Sequence, residues 1–195
     1  MSSFRLEFDQ ALESFLREEL GHLEPGVSEA VRYAVLSPGK RIRPLLLVAS
    51  YRALGGENPA IADLALSVEL VHAYSLVHDD LPCMDDDVLR RGRPTVHVKF
   101  GVPGAVLTGA ALMPLAVRAI VRSGPLLGLQ PTVVDRLVET LTAASGASGM
   151  VGGQLLDLRA EGRRVTGDEL EEIHSGKTGR LMAACAVMGG IAAGA

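Results

Sequence analysis

Five of the ten aspartates in the 195-residue chain fall between positions 79 and 87, in His78-Asp79-Asp80-Leu81-Pro82-Cys83-Met84-Asp85-Asp86-Asp87. Carboxylates this close repel one another, and more strongly wherever water is partly excluded. A solvated acidic turn is the plainer reading of such a run. This one follows directly on the apolar stretch from Ile61 to Val77, which sets it at the mouth of a core. Something cationic must offset it. Magnesium suits, because it takes one or two carboxylates and completes its shell with water and phosphate oxygens.

The basic residues supply the counterpart. Only three lysines accompany 16 arginines. Lys40 stands in Gly39-Lys40-Arg41-Ile42-Arg43-Pro44, and Lys177 in His174-Ser175-Gly176-Lys177-Thr178-Gly179. A third group, Arg90-Arg91-Gly92-Arg93, is expected within one helical turn of the acidic run. Each basic group alone reads equally well as a solvated face or a helix-end charge. All three beside the acidic mouth suit a ligand that carries phosphate and metal together.

The elements that must position these groups are helices. Phe8, Ala11, Leu12, Phe15, Leu16 and Leu20 recur at helical spacing, and Val134, Leu137, Val138, Leu141 and Ala144 repeat the pattern. From Ile61 to Val77 apolar residues cover most of the helical circumference, which predicts a central helix buried on several sides. Turn-forming residues punctuate the chain at Glu24-Pro25-Gly26, Pro38-Gly39, Gly55-Gly56, Gly101 to Gly104 and Gly124-Pro125. No alternating strand pattern bounded by hairpin turns stands out. The expectation is one all-α domain of about eight helices over residues 1–195.

Composition agrees and excludes several classes. Hydrophobic residues make up 48% and aromatics only 4%, so aliphatic side chains must fill the core. A net charge of −4 argues against a nucleic-acid partner, which calls for a basic surplus. Two distant cysteines, Cys83 and Cys185, form neither a disulfide framework nor a zinc site, so a reducing, cytoplasmic setting is expected. The N-terminus is charged every few residues and lacks the apolar core of an export signal. The uncharged run from Phe100 to Val117 touches the length of a membrane span, but its prolines and glycines suit a helix inside a soluble bundle better. The apolar ending LMAACAVMGGIAAGA demands neighbours on most faces, from an oligomer or from further chain.

Four segments in order resemble the trans-isoprenyl diphosphate synthases, the polyprenyl synthetase family, and most of all its bacterial farnesyl diphosphate synthases. They are GKRIRP at 39–44, ELVHAYSLVHDDLPCMDDDVLRRGRPTVH at 69–97, GMVGGQLLDL at 149–158 and HSGKTGRLM at 174–182. The resemblance implies an all-α isoprenoid-synthase-type bundle around a deep cavity, usually a homodimer, that joins isopentenyl diphosphate head to tail with an allylic diphosphate using Mg²⁺. By motif, Asp79 and Asp85 would coordinate the metal on the allylic diphosphate, with Asp80 supporting. Arg90, Lys177 and Thr178 would bind that diphosphate, and Lys40, Arg43, His72 and Arg91 would hold isopentenyl diphosphate. Gln154 and Asp157 would lie near the allylic carbon and the metal's outer shell. Without the motif His72 reads as a core histidine, and Gln154 with Asp157 as a hydrogen-bonded pair inside a helix. Pro82 is expected to break one backbone bond so that the helix bulges and turns both metal-binding carboxylates inward.

Product length is expected to rest on Tyr74. It lies five residues before Asp79, about 7.5 Å back along the same helix at 1.5 Å per residue, where a large side chain would floor the cavity at farnesyl length. Three features depart from the family pattern. Pro38 replaces a usual glycine, Ala110 replaces a common aspartate, and no second aspartate-rich DDxxD motif follows HSGKTG. The expectation is therefore a C-terminally incomplete synthase, inactive as 195 residues alone. The alternatives are a geranylgeranyl diphosphate synthase and a non-catalytic partner subunit.

Overall fold

The computed structural model describes residues 2–22 and 24–195. Helical periodicity dictates the frame. Helix α1 (Ser2–Leu20) buries Phe8, Leu12, Phe15, Leu16 and Leu20 along its predicted stripe. Helix α2 (Pro25–Val35) begins with Pro25, whose missing N–H has no intrahelical partner at that position, and the Glu24 carboxylate accepts from the Val27 N–H at 3.2 Å. Helix α3 (Ile42–Ala53) follows Arg41, which sits in the left-handed region at φ 51°.

Helix α4 (Ile61–Asp79) is the axis of the bundle. Every residue from Leu64 through Val71 is buried, so this stretch has no solvent face. The long helix α5 (Val96–Leu127) packs along it and bends at Gly101, whose φ of 77° is a conformation that residues with a Cβ avoid. Pro103 then falls in the first turn of the second segment, where it breaks no bond. Helix α5 is long and apolar enough to cross a membrane by length and composition alone, yet Arg118 and Arg122 pair with Glu18 and Glu19 of α1. Helices α6 (Pro131–Ser145), α7 (Met150–Ala160), α8 (Gly167–His174) and α9 (Arg180–Ala192) complete the bundle, with a π-helical turn, Ser175–Gly179, between the last two. Thr166 and Glu169 form a reciprocal capping box at the start of α8.

The all-α architecture is as predicted, with nine α-helices among the described residues rather than about eight. Gly124-Pro125, read as a boundary, lies inside α5, which ends only at a left-handed Gly128. Two short strands, β1 (Leu89–Arg90) and β2 (Arg93–Pro94), form an antiparallel ladder that sequence periodicity did not reveal. Two residues per strand are too few to show alternation, and the turn between them puts Arg91 and Gly92 at positive φ. The Arg90–Arg93 segment is therefore a hairpin and not part of a helical turn. Part of the apolar C-terminal stretch packs within the chain, with α9 on α3 so closely that a Cβ at Gly189 would lie 2.3 Å from the Leu47 carbonyl oxygen, while Val187 on the same helix is half exposed.

Candidate active site

The acidic run begins where α4 stops. Asp80 caps the helix, and Pro82 has no N–H to extend it. The chain then folds back: the Asp85 N–H donates to the Asp79 carbonyl at 2.8 Å, and the Asp86 N–H to the Leu81 carbonyl at 3.1 Å. The helix thus ends where a bulge was expected, and a hydrogen-bonded loop takes its place. Asp86 accommodates the fold-back in the left-handed region, at φ 51°.

The carboxylates there have different tasks. Burial, together with the charges of Asp85 and Asp80, raises the Asp79 carboxyl to about 6 against the pull of Lys177 and Arg90. Asp80 is buried and accepts both Nε and Nη2 of Arg90, which also donates to Asp87 at 2.9 Å. Burial still raises the Asp80 carboxyl overall. Arg90 is thereby fixed between two carboxylates at the rim, and Asp80 holds an arginine in place.

Lys177 reaches the same region from the π-helical turn. A Cβ on Gly153 would stand 2.1 Å from the Lys177 backbone nitrogen, so only glycine lets α7 and the turn lie this close. The Lys177 ammonium donates to Asp157 at 2.7 Å. Burial disfavours its charge, but the bond to Asp157 and the fields of Asp79 and Asp85 hold it protonated. Thr178 is exposed on the same turn. Gln154 is 8% exposed, and both ends of its amide lack a partner. An unsatisfied buried amide is costly and suits a group awaiting a polar ligand.

Two cavities flank α4. An apolar one of about 250 Å³ is lined by Tyr74, Met84, Met150, Leu155 and Leu158, with Asp79 and Gln154 on its wall. The second, about 460 Å³, is lined by Lys40, Arg41, Arg43, Glu69, His72 and Arg91. His72 lies in it with Nδ1 buried and unpartnered. Burial, reinforced by Arg43 and Arg91, lowers its imidazole to about 3, so it is neutral at ordinary pH. Arg43 has an unpartnered buried Nε, and burial lowers its pKa. Arg91 reaches across from the hairpin and donates to the Pro38 carbonyl. Arg41, inside the GKRIRP motif but not singled out by it, is 5% exposed and ion-paired to Glu69.

One helix, α4, therefore contributes both to a cationic cavity and to an apolar one with the Asp79 carboxylate on its wall, and residues 24–195 match the polyprenyl synthetase family. The chain belongs to the polyprenyl synthetase family. It is 45% identical over 190 residues to farnesyl diphosphate synthase of Escherichia coli K12, spanning 95% of this chain and 62% of that protein. It is 41% identical over 183 residues to geranylgeranyl pyrophosphate synthase 4 of Arabidopsis thaliana, spanning 92% of this chain and 48% of that protein. Among solved structures, a geranyltransferase from Legionella pneumophila superposes with a TM-score of 0.87 at 38% identity, covering 98% of this chain and 69% of that one. Polyprenyl synthetase membership thus accounts for the all-α bundle and for all four ordered motifs.

The metal that the family implies can be tested against the residues present. Among the described residues no three His, Cys, Asp or Glu side chains gather as a closed cage. Magnesium takes few protein donors and leaves positions for substrate phosphates. The half-buried Asp79 and the exposed Asp85, joined through the fold-back, fit that open donor set.

Proposed function

We propose that this polyprenyl synthetase chain serves an Mg²⁺-dependent prenyltransferase that condenses isopentenyl diphosphate with dimethylallyl or geranyl diphosphate to give farnesyl diphosphate. The observation that carries the reading is the division of labour along α4. Glu69 and His72 face the basic cavity, while Tyr74 and Asp79, on the following two turns, line the apolar one. A single helix could thus hold two diphosphate substrates with their hydrocarbon parts directed toward each other.

In this reading the allylic C–O bond breaks heterolytically, and negative charge grows on the departing diphosphate. Mg²⁺, when bound by Asp79 and Asp85, supplies electrophilic stabilisation of that charge. Lys177, protonated and steered by Asp157, adds a fixed cation on the same side, and Arg90 stands at the rim. Such groups stabilise the ionised state more than the ground state. The aliphatic wall of Met150, Leu155 and Leu158 keeps water from the carbocation until the double bond of isopentenyl diphosphate attacks it. The new carbon–carbon bond then forms and leaves a tertiary cation on the former isopentenyl unit, which gives up a C2 proton to the departed diphosphate as the new double bond forms. In the basic cavity, Lys40, Arg43 and Arg91 bind the isopentenyl diphosphate, with neutral His72 offering a hydrogen bond without adding charge.

We further infer a homodimer. Val102, Val106, Leu107 and Val121 of α5 are exposed apolar side chains, and Ala110 is exposed on the same helix. A second copy of the chain is the occupant proposed. Cytoplasmic residence accords with both cysteines being free thiols.

The decisive experiment is product chromatography. Protein expressed from its complete reading frame is incubated with isopentenyl diphosphate and each allylic starter, with Mg²⁺ or with chelator. Mg²⁺-dependent farnesyl diphosphate is expected. A predominance of geranylgeranyl diphosphate would reassign the product, and no elongation with any starter would refute the reading.

A further inference from the structure

Arg41 is the residue of the basic cavity least accounted for by its sequence neighbours. Lys40 beside it is exposed, whereas Arg41 is buried almost completely. Its left-handed backbone, φ 51° and ψ 40°, sends the side chain beneath the loop instead of out to solvent. Non-glycine residues hold that conformation only where surrounding contacts enforce it. Here they do. The guanidinium donates to Glu69 Oε1 at 2.5 Å, to Asp9 Oδ1 at 2.8 Å, and to the carbonyls of Val35 and Ser37 at 3.4 and 3.3 Å.

Those four acceptors belong to α1, to α4, to the end of α2 and to the loop after it. A planar guanidinium can reach acceptors in several directions at once, which a single ammonium cannot. The network therefore fixes the loop and the start of α3 relative to α4. Lys40 precedes Arg41 directly and Arg43 lies two residues beyond, so the clamp sets where both cations stand relative to His72. Arg43 needs such support, since its buried Nε has no bond of its own.

The geometry points to Arg41 and Glu69 as a positioning pair for the isopentenyl diphosphate subsite, holding Lys40 and Arg43 opposite His72 without touching substrate. The assignment rests on the function proposed above. It separates the two subsites: the clamp lies on the basic side of α4, and the apolar cavity with Asp79 and Lys177 lies outside its network.

The test measures two affinities and one melting temperature. Glu69→Gln, Arg41→Lys and Asp9→Asn are compared with the parent protein by calorimetric titration with isopentenyl diphosphate. A second titration uses a non-ionising allylic thiodiphosphate with Mg²⁺. For Glu69→Gln and Arg41→Lys the isopentenyl diphosphate Kd should rise by about ten-fold or more, since small misplacements of binding groups are costly, while the allylic Kd stays within about two-fold. Asp9→Asn, at the more exposed end of the network, should show a smaller rise in the same direction. Glu69→Gln removes a negative charge from an anion pocket, so tighter isopentenyl diphosphate binding by that variant would mean that net charge acts and the pair does not position. Equal loss at both subsites with a lowered melting temperature would leave only a structural role and overturn the proposal. If Arg41→Lys does not fold, the two near-isosteric carboxamide variants decide the matter by the same criteria. Failure of the parent protein to bind isopentenyl diphosphate would overturn the proposed function and this pair with it. Parent binding that the variants leave unchanged would overturn the pair alone.

Discussion

The backbone N–H of Asp85 donates to the carbonyl of Asp79 at 2.8 Å, joining two aspartates six positions apart across the end of α4. A continuous helix would set residues six apart on different faces. Ending the helix and folding the chain back brings their backbones together beside the apolar cavity.

Loss of the first of these carboxylates should abolish turnover. Removing one charge-stabilising group at a developing anion costs about 3–4 kcal/mol, a rate factor of roughly 10²–10³, and Asp79→Ala removes a metal ligand as well. Steady-state rates at saturating Mg²⁺ check this. A variant keeping more than about a tenth of the parent rate contradicts the role given to Asp79.

Tyr74 shares the apolar cavity with Met84, Met150, Leu155 and Leu158. Its ring also packs against His78, with centroids 4.6 Å apart, so it is held in place. Tyr74→Ala should deepen the cavity and shift the product from farnesyl toward geranylgeranyl diphosphate and longer chains. Product chromatography reads the distribution; an unchanged distribution would move the floor to another residue.

His72 gives a pH dependence whose sign is fixed by its environment. Its imidazole is lowered from 6.5 to about 3, by burial first and then by Arg43 and Arg91. Between those values the unfolded chain binds a proton that the folded chain does not. The fold therefore loses stability as pH falls from 6.5 toward 3, by about 1.4 kcal/mol per unit well below 6.5. Denaturant melts at pH 7 and 4.5 should show the parent losing about 2–3 kcal/mol more than His72→Gln over that interval. Parallel losses would show that His72 is protonated in the fold.

The seam between α7 and the π-helical turn predicts a contrast between two glycines. A Cβ at Gly153 would meet the Lys177 nitrogen at 2.1 Å and the Gly176 carbonyl carbon at 2.5 Å, both backbone atoms. Gly153→Ala should destabilise by about 1–3 kcal/mol or more and weaken diphosphate binding by displacing Lys177. At Gly167 a Cβ meets nothing within 4 Å, and Gly167→Ala should be neutral or stabilising by up to about 1 kcal/mol. Chemical melts separate the two, and a harmless Gly153→Ala would mean the seam can open.

The exposed surface of α5 can be tested by charge. Val106 is 45% exposed and belongs to the apolar surface with Val102 and Val121. Val106→Glu should convert a dimer into monomer in sedimentation velocity with little change in helical content. A monomeric parent protein would remove the proposed interface.

Local order was legible in the sequence because its causes lie within a turn or two of chain. The α1 stripe and the all-round burial of α4 follow from neighbours in sequence, whereas Pro82 ended α4 where a bulge was expected and the capping box of α8 went unread. The motifs singled out Asp79, Lys177, His72 and Lys40, and the last helical turn of α4, a π-helical turn, mid-α4 and the loop before α3 are where the structure carries them. What only the tertiary structure decided were the partners of those groups. Arg41 meets Asp9 across 32 residues and Glu69 across 28, and Lys177 meets Asp157 across 20. The two-residue ladder has too little length for a periodic signal, and the π-helical turn differs from an α-helix by one residue of register. Periodicity and capping act through short stretches of backbone, so they specify helices. The pairing of buried charges depends on how those helices are packed, and it was packing that set Arg41 beneath the loop and Lys177 against Asp157.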